Sequence, residues 1–169
     1  MSFVKILGVD PGLLNTGYGV IEADSPGRIR LIEAGVIRTS PGDGISRRVA
    51  EIYVNLTNII TERRPAVLVL EKLYSHYKHP STSILMGHAR GVVCLACGIN
   101  NVQLVNYSAT RIKKAITGNG RAGKYQVQGM VRSLLNLDTA AGPESFDVSD
   151  ALAMAISYAY IEGEGKEKR

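Results

Sequence analysis

Turn residues interrupt the apolar runs near the start of the chain at regular intervals. These runs occupy residues 4–9, 16–21 and 29–37, and segments containing Pro and Gly separate them. Short apolar runs with turn residues between them are typical of consecutive antiparallel strands. The first 37 residues are therefore predicted to form a three-strand meander.

The rest of the chain alternates between helical and extended patterns. Apolar residues recur at helical spacing over about 46–62. After Pro65, the uninterrupted apolar run at 66–70 predicts a central strand that is buried on both faces. Beyond a polar and aromatic loop at 72–80, the pattern predicts a helix over about 82–98, a strand at 103–107, a helix at 109–116, a loop at 118–123, and helices at 124–135 and 145–161.

Three strands followed by alternating helices and strands predict an α/β fold. We expect a mixed five-stranded sheet, in which parallel strands extend the antiparallel meander and helices cover both faces. A length of 169 residues suits one domain with one substantial core. No internal repeat or linker is visible, so the prediction is a single domain at 1–161, followed by a charged, disordered tail at 162–169.

Composition narrows the class of protein. Hydrophobic residues make up 45% and charged residues 21%, which is typical of a globular chain and not of a disordered or fibrous one. No apolar run approaches the roughly 18 residues of a transmembrane helix, and the start of the chain lacks the pattern of a signal peptide. A cytoplasmic protein that uses no membrane is therefore expected. The net charge of +5 favours a polyanionic partner.

Two acidic residues, Asp10 and Glu71, each follow an apolar strand-like run. A buried carboxylate is costly unless it is paired or binds a metal. Asp147 and Asp150 are three residues apart in the last predicted helix, so their side chains point the same way. Taken alone, these two are well explained as acids that stabilise a helix N-terminus. The small apolar residues at 151–156 would, however, let this helix lie close to the sheet and bring both acids towards the other two.

Four carboxylates suit hard divalent cations, which prefer oxygen ligands. Two such ions can activate a water molecule and stabilise the leaving oxygen in phosphoryl chemistry. The hypothesis is therefore a phosphodiester-cleaving site that holds two Mg²⁺ ions, for which Mn²⁺ can substitute. This chemistry needs no histidine and no nucleophilic serine.

Four blocks of sequence, in the same order, resemble the RuvC family of Holliday-junction resolvases. The blocks are Gly8–Gly12 with Thr16–Val20, Glu71–Tyr74 continuing to Gly87–Val92, Lys124–Gln128, and Asp147–Ala153. The resemblance spans about residues 4–160. It implies a ribonuclease H-like fold, a homodimer, and Mg²⁺-dependent cutting of two symmetry-related strands of a four-way DNA junction. It also implies that the junction-binding and branch-migration proteins RuvA and RuvB are partners.

The resemblance assigns roles to individual residues. It implies that the metal-binding acids are Asp10, Glu71, Asp147 and Asp150. Lys113 and Lys124 match basic residues near the scissile phosphate, although Lys114 adjoins Lys113 and a slip of one residue would exchange them. Tyr74 matches an aromatic residue beside the junction DNA. Lys78 and Arg121 are further candidates for DNA contacts, because cations suit backbone phosphates.

Several other motifs have simpler explanations. Gly118–Gly123 fits G-x-G-x-x-G, but a helix and not a strand precedes it, and Tyr125 replaces the hydroxyl residue of a phosphate-binding loop. We interpret this segment as a mobile basic loop that contacts DNA. From the residues alone, the aromatic loop at 72–80 could equally stack on unpaired bases or be solvated. The spacing of the three histidines fits no zinc site.

Cys94 and Cys97 form a C-x-x-C pair inside a predicted helix. A redox pair needs a lowered thiol pKa, usually at a helix N-terminus, and a zinc site needs further ligands. Small core residues are the favoured interpretation of this pair.

Two other functions compete with the nuclease. A non-cutting junction-binding module should gain affinity when it loses its acids, because carboxylates repel DNA. An ATPase related to actin and Hsp70 would need a second lobe, for which this chain is too short, and a hydroxyl residue after Gly12, where Leu13 stands.

Overall fold

The computed structural model describes residues 3–25, 28–73, 80–137 and 145–167. The chain forms, in order, the strands and helices β1 (Val4–Asp10), β2 (Asn15–Ser25), β3 (Arg28–Arg38), α1 (Ile45–Arg63), β4 (Val67–Glu71), α2 (Pro80–Asn100), β5 (Gln103–Tyr107), α3 (Ala109–Thr117), α4 (Lys124–Leu134) and α5 (Phe146–Glu167).

The strands form one five-stranded sheet with the order β3-β2-β1-β4-β5. β1, β2 and β3 pair antiparallel as a meander, whereas β1 with β4 and β4 with β5 pair parallel. The predicted mixed sheet is confirmed. Parallel pairing puts the carboxyl ends of β1, β4 and β5 at one edge of the sheet, where β2 also begins.

Each face of the sheet has its own hydrophobic core, because successive residues of a strand point to opposite faces. Ile6 and Val69 belong to the core that contains residues of α3, α4 and α5. Leu7 and Leu68 belong to the core that contains residues of α1 and α2. Helices therefore cover both faces, as predicted.

The last helix is longer than predicted. The charged residues after Ile161 suggested a disordered tail, but α5 continues to Glu167. Glu162 accepts a hydrogen bond of 3.0 Å from the hydroxyl of Tyr107 at the end of β5. A tertiary contact thus holds a residue that composition alone assigned to the tail, so the predicted boundary at 161 is wrong for this helix.

Helix α2 is more apolar on average than its interrupted sequence pattern indicates. Its segment Ser81–Asn100 is long and apolar enough to cross a membrane by length and composition alone. The segment contains no continuous apolar run of that length, because His88 and Arg90 interrupt it, and one such helix is weak evidence of a membrane span. Ala89, Val93 and Ala96 of α2 are fully buried in the core that it shares with α1, which makes α2 an integral part of the fold.

The C-x-x-C pair lies in this helix, and both cysteines are free. Cys97 is a buried core residue, and Cys94 packs partly buried against the same core. Burial, together with the neighbouring Cys94, raises the pKa of the Cys97 thiol to about 11. A thiol with so high a pKa is a poor nucleophile, and the prediction of a core residue is confirmed for Cys97.

Candidate active site

Two of the predicted acids end neighbouring parallel strands. Asp10 is the last residue of β1, and Glu71 is the last of β4. The register pairs Gly8 with Val69, and two further residues along each strand bring Asp10 level with Glu71. Because alternate residues share a face, Asp10 lies on the same face as Gly8, and Glu71 on the same face as Val69. This is the face that α5 covers.

Glycines in the sheet let the backbone of α5 lie against it. A Cβ atom on Gly8 would lie 1.9 Å from the carbonyl oxygen of Ala151, and one on Gly17 would lie 2.2 Å from the carbonyl oxygen of Asp147. Gly17 is also the cross-strand partner of Asp10. The first turn of α5 therefore lies directly over the strand next to Asp10. The predicted close approach of the small-residue helix is confirmed.

Electrostatics tie the four acids together. Burial and, after it, the carboxylates of Asp150, Asp147 and Glu71 together raise the pKa of Asp10 to about 7, against an opposing effect of Lys124. Burial followed by Asp150 also raises the pKa of Glu71, and burial raises that of Asp150. Buried carboxylates that raise one another's pKa in this way are only partly neutralised by the lysines near them.

The acids share an edge of the sheet but do not form a closed cage. Among the residues that the structure describes, no three Asp, Glu, His or Cys side chains are close enough together to hold one ion. The carboxylate of Asp150 lies 3.5 Å from the ammonium of Lys124, with which it forms an ion pair. The metal-binding roles of Asp10, Glu71, Asp147 and Asp150 stay predictions.

A cavity of about 240 Å³ opens beside these acids, between the end of β4 and helices α3, α4 and α5. Its polar lining comes from two acids and two lysines, and its apolar lining from the surrounding helices. The lining residues are Glu71, Asp150, Lys113, Lys124, Ala109, Ile112, Val127, Ala153 and Met154. Asp10 and Asp147 belong to the same edge of the sheet but not to this lining.

The cavity distinguishes Lys113 from Lys114. Lys113 lines the cavity and partly offsets the rise that burial causes in the pKa of Glu71 and of Asp150. Lys114 is exposed, and its Cβ lies beside Gly120 instead. On α3 the two side chains point about 100° apart, so only one of them can face the acids. Lys113 is therefore the lysine that the structure brings to them.

Lys124 begins α4 and reaches the acids from the other side. The backbone N–H of Gly123 donates a hydrogen bond of 2.8 Å to the side chain of Gln126, which holds the start of this helix. From there the ammonium of Lys124 contacts Asp150 and also lies 4.5 Å from the centroid of the Phe146 ring. The cation is thus held between a carboxylate and an aromatic face.

Of the residues predicted to contact DNA, Arg121 and Lys124 lie in the described part of the chain. Arg121 is exposed in the loop before α4, and its backbone N–H donates to the side chain of Asn119. Its guanidinium has no partner among the described residues. Tyr74 and Lys78, with the histidines of the same loop, lie outside the residues that the structure describes.

A family model for the crossover junction endodeoxyribonuclease RuvC matches residues 6–158. The chain belongs to the RuvC family. Enzymes of this family are metal-dependent nucleases, and this membership decides against both the ATPase and the non-cutting module.

Individual relatives agree with the family model. A RuvC from Rhodopirellula baltica is 47% identical over 92% of this chain and 86% of the relative. One from Neorickettsia sennetsu is 39% identical over 98% of this chain and 99% of the relative. Among solved structures, T. thermophilus RuvC in complex with Holliday junction substrate matches with a TM-score of 0.88 and 30% identity, covering 96% of both chains. The ribonuclease H-like fold is therefore shown.

Arg90 is a further residue at the site that was not predicted, although it lies in one of the blocks that resemble the RuvC family. Arg90 extends from α2, where its Nη1 donates a hydrogen bond of 2.7 Å to the carbonyl oxygen of Glu71. Its Nη2 donates to the side-chain oxygen of Asn106 on β5. The guanidinium thus bridges the ends of two strands behind the acid. An arginine inside an otherwise apolar helix was the available signal.

The glycines of the sheet were missed as well. Gly8, Gly17 and Gly19 occur in β1 and β2 at positions that face α5, and a Cβ at any of the three would collide with that helix. Their alternation with larger residues was visible in the sequence. Its meaning depended on knowing that a helix crosses at that point.

Proposed function

We propose that this chain resolves four-way DNA junctions by two symmetric, metal-dependent phosphodiester hydrolyses during recombination and repair. One observation supports this most strongly: four acids lie at one edge of the sheet, beside a cavity that two lysines enter. Its structural relative from T. thermophilus was solved with a Holliday junction substrate. We further propose that the single nuclease domain, predicted as residues 1–161, extends to the end of α5 at Glu167, and that the protein acts in the cytoplasm.

The donor set fits hard divalent cations. All four proposed ligands are carboxylates, and oxygen ligands are those that Mg²⁺ prefers. Burial, and for Asp10 and Glu71 next the neighbouring carboxylate of Asp150, raises the pKa values of Asp10, Glu71 and Asp150, so a bound cation would stabilise their charged forms. We propose that Asp10, Glu71, Asp147 and Asp150 hold two Mg²⁺ ions, for which Mn²⁺ can substitute. When bound, such ions activate a water molecule and stabilise the negative charge that develops on phosphate.

The lysines position and neutralise the phosphate. Lys113 enters the cavity from α3 and Lys124 from α4, so a phosphate in the cavity would meet positive charge from two directions. Lys124 is paired with Asp150 in the structure. Neutralisation of that carboxylate by a bound cation would leave the ammonium available to the phosphate. Arg121 lies three residues before α4 begins and extends this positive charge along the DNA backbone.

The predicted contacts in the 72–80 loop complete the proposed DNA surface. Tyr74 is proposed to lie beside the junction and Lys78 to contact its backbone, on the basis of the family blocks and of charge. The same family membership supports RuvA and RuvB as partners. These assignments rest on the sequence alone.

The outer face of α2 is the proposed dimer surface. Ile84, Leu95 and Ile99 are exposed along it at near-helical spacing. Gly87 and Gly91 lie between them, and a Cβ at either would meet nothing within 4 Å, so another helix could approach closely. The occupant we propose is a second copy of this chain, because two cuts in a two-fold symmetric junction require two active sites.

The dimer surface can be tested by charge insertion. Leu95→Lys should shift the protein from dimer to monomer in analytical ultracentrifugation, because an ammonium would be buried at the interface. It should also replace paired cuts by single nicks. Met130→Lys is the matched control, since Met130 is exposed on α4 and outside the proposed interface. A Leu95→Lys variant that remained dimeric would place the interface elsewhere.

The nuclease function is tested with a synthetic four-way junction and a duplex of the same sequence. In Mg²⁺ we expect paired, symmetric nicks in the junction alone, and no cutting after the chelator EDTA is added. Cutting that continued in EDTA would contradict metal dependence. Equal cutting of the duplex would contradict junction selectivity.

A further inference from the structure

An aromatic pair stands beside the acid cluster and takes no part in the proposed hydrolysis. Tyr125 is the second residue of α4, and Phe146 is the first of α5. Their ring centroids lie 5.4 Å apart with an interplanar angle of 74°, which is an edge-to-face contact. The ammonium of Lys124 lies 4.5 Å from the Phe146 centroid and 3.5 Å from the Asp150 carboxylate. One lysine therefore links the pair to the active site.

The tyrosine ring is open to solvent. Tyr125 is 78% exposed, more than any other large hydrophobic residue in the described part of the chain. Phe146 is partly buried. An edge-to-face contact leaves ring surface uncovered, and the exposures show that the uncovered ring is that of Tyr125. Aromatic rings combined with neighbouring positive charge are what proteins that bind single-stranded nucleic acid use to stack bases.

The position of the Tyr125 ring is also fixed by the packing of the first turn of α4. The contact between the Gly123 N–H and the Gln126 side chain defines where α4 begins. Val127, two residues after Tyr125, is buried in the core under α5. Tyr125 thus projects from an anchored first turn, and its ring rests on Phe146. A platform organised before binding costs less entropy when a ligand stacks on it.

The charged residues around Tyr125 indicate what kind of ligand stacks on its ring. Lys113 and Lys124 line the neighbouring cavity, Arg121 lies just before α4, and the first turn of α4 carries no acidic residue. A ligand that places a phosphate among these cations and a flat apolar ring on Tyr125 is a nucleotide. Bases inside a duplex are already stacked on both faces, so only an unpaired or unstacked base offers a face to the tyrosine.

We infer that Tyr125, supported by Phe146, stacks on an unpaired nucleobase of the strand whose phosphate enters the acid-lined cavity. This inference rests on the proposed function and adds to it a base-binding subsite on α4. The subsite would make the enzyme prefer DNA whose bases are unstacked near the cut. It would thereby contribute to the choice of a junction over a plain duplex.

The test uses a four-way junction with 2-aminopurine next to the branch point, and a matched duplex, both without divalent metal. The fluorescence of 2-aminopurine reports its stacking. Tyr125→Ala should weaken binding to the junction by about tenfold, since stacking of one base on an aromatic ring is worth roughly 1–3 kcal/mol. Binding to the duplex should stay unchanged. Tyr125→Phe, which keeps the ring, should bind as the wild type does.

Met130→Ala is the matched control, because Met130 is an exposed apolar residue further along α4. It should change neither affinity nor fluorescence. The inference is overturned if Tyr125→Ala binds the junction as tightly as the wild type, or if it weakens junction and duplex equally. It is also overturned if Tyr125→Phe loses as much as Tyr125→Ala, which would assign the contact to the hydroxyl.

Cleavage by the wild type in Mg²⁺, measured on the same junction, separates this inference from the proposed function. A wild type that cuts the junction while Tyr125→Ala binds normally removes the base subsite alone. A wild type that neither binds nor cuts the junction removes both.

Discussion

The two faces of the sheet are built differently. On the face that α5 covers, glycines bring the helix backbone into contact with the strands, and the acids lie at the edge of that contact. On the other face, aliphatic side chains such as Leu7, Leu56 and Leu68 separate the sheet from α1 and α2. The outer surface of α2, on this side of the sheet, is itself apolar. We propose that one face holds the active site and the other the partner subunit.

The difference shows why the acids belong to the α5 face. Carboxylates shift one another's pKa only when their elements lie close together, and replacing side chains by glycine is the simplest way to bring a helix and a sheet together. Large aliphatic residues between the layers would have kept Asp147 away from Asp10. The size of the residues between sheet and helix therefore determines whether acids from both can come together on that face.

Removing an acid from the α5 face should have the largest effect. Asp10→Asn should lower junction cleavage by about 10³-fold or more, because it removes one of the proposed metal ligands. Binding to the junction should be kept or improved, since one negative charge near DNA is lost. Single-turnover cleavage and gel-shift assays measure the two effects. Full activity in this variant would remove Asp10 from the mechanism.

Glu51→Gln is the matched control on the other face. Glu51 is an exposed acid on α1, so the same change of carboxylate to amide there should leave cleavage unchanged. A comparable loss would mean that net charge, and not the site, explains the Asp10 result.

Adding a methyl group between α5 and the sheet should cost the most stability. In Gly8→Ala the new Cβ would collide with the carbonyl oxygen of Ala151, and relief of such overpacking costs about 3 kcal/mol or more. The melting temperature should fall by about 6–12 °C, measured by calorimetry.

In Gly129→Ala on α4 the new Cβ meets nothing within 4 Å. That control should be neutral or slightly stabilising, because alanine favours helix over glycine. Equal losses in the two variants would refute close packing on the α5 face.

Lys124→Ala should reduce cleavage by about 100-fold, the usual cost of losing one group that stabilises transition-state charge. Junction binding should weaken much less, because only one of several phosphate contacts disappears. Lys114→Ala is the control, since Lys114 is exposed and does not line the cavity. If Lys124→Ala lost binding and cleavage to the same extent, Lys124 would be an anchoring contact only.

The smallest expected effect is on the pH dependence of stability without metal. The pKa of Asp10 is raised from 3.8 to about 7 in the folded chain, so between these values the folded state binds more protons than the unfolded state. Linkage then requires stability to fall as pH rises through this window. Asp10→Asn should reduce this fall, part of which the raised pKa values of Glu71 and Asp150 would retain, and should exceed the wild type in stability at pH 8 by about 1–2 kcal/mol.

Denaturant titrations at pH 5 and pH 8 in EDTA measure this difference. Glu51→Gln should follow the wild type at both values of pH. A wild type that is more stable at pH 8 than at pH 5 without metal would contradict the raised pKa of Asp10.

The sheet was predictable because its signals are local. Apolar runs and turn residues predicted the meander, and the parallel strands followed from helices placed between apolar segments. The error at the end of α5 has a tertiary cause, since the hydrogen bond between Tyr107 and Glu162 joins residues that are 55 positions apart. The hydropathy of α2 was underestimated because its apolar residues are interrupted by His88 and Arg90 and form no continuous run.

The candidate site was predictable in its residues but not in its geometry. Each acid stood at the end of a predicted element, which drew attention to it individually. The choice between Lys113 and Lys114 depended on the rotation of α3. The contribution of Arg90 depended on where α2 crosses the ends of β4 and β5, and no spacing in the sequence reports that crossing.

By itself, the sequence determined the order of strands and helices, the four acids and the ordered blocks of the RuvC family. Tertiary structure alone decided that α5 rests on Gly8 and Gly17, that Lys113 faces the acids and that α2 turns an apolar face outwards. The physical reason is one of range. Propensity and periodicity act over a few neighbouring residues, whereas strand register and helix packing depend on shapes that meet from distant parts of the chain.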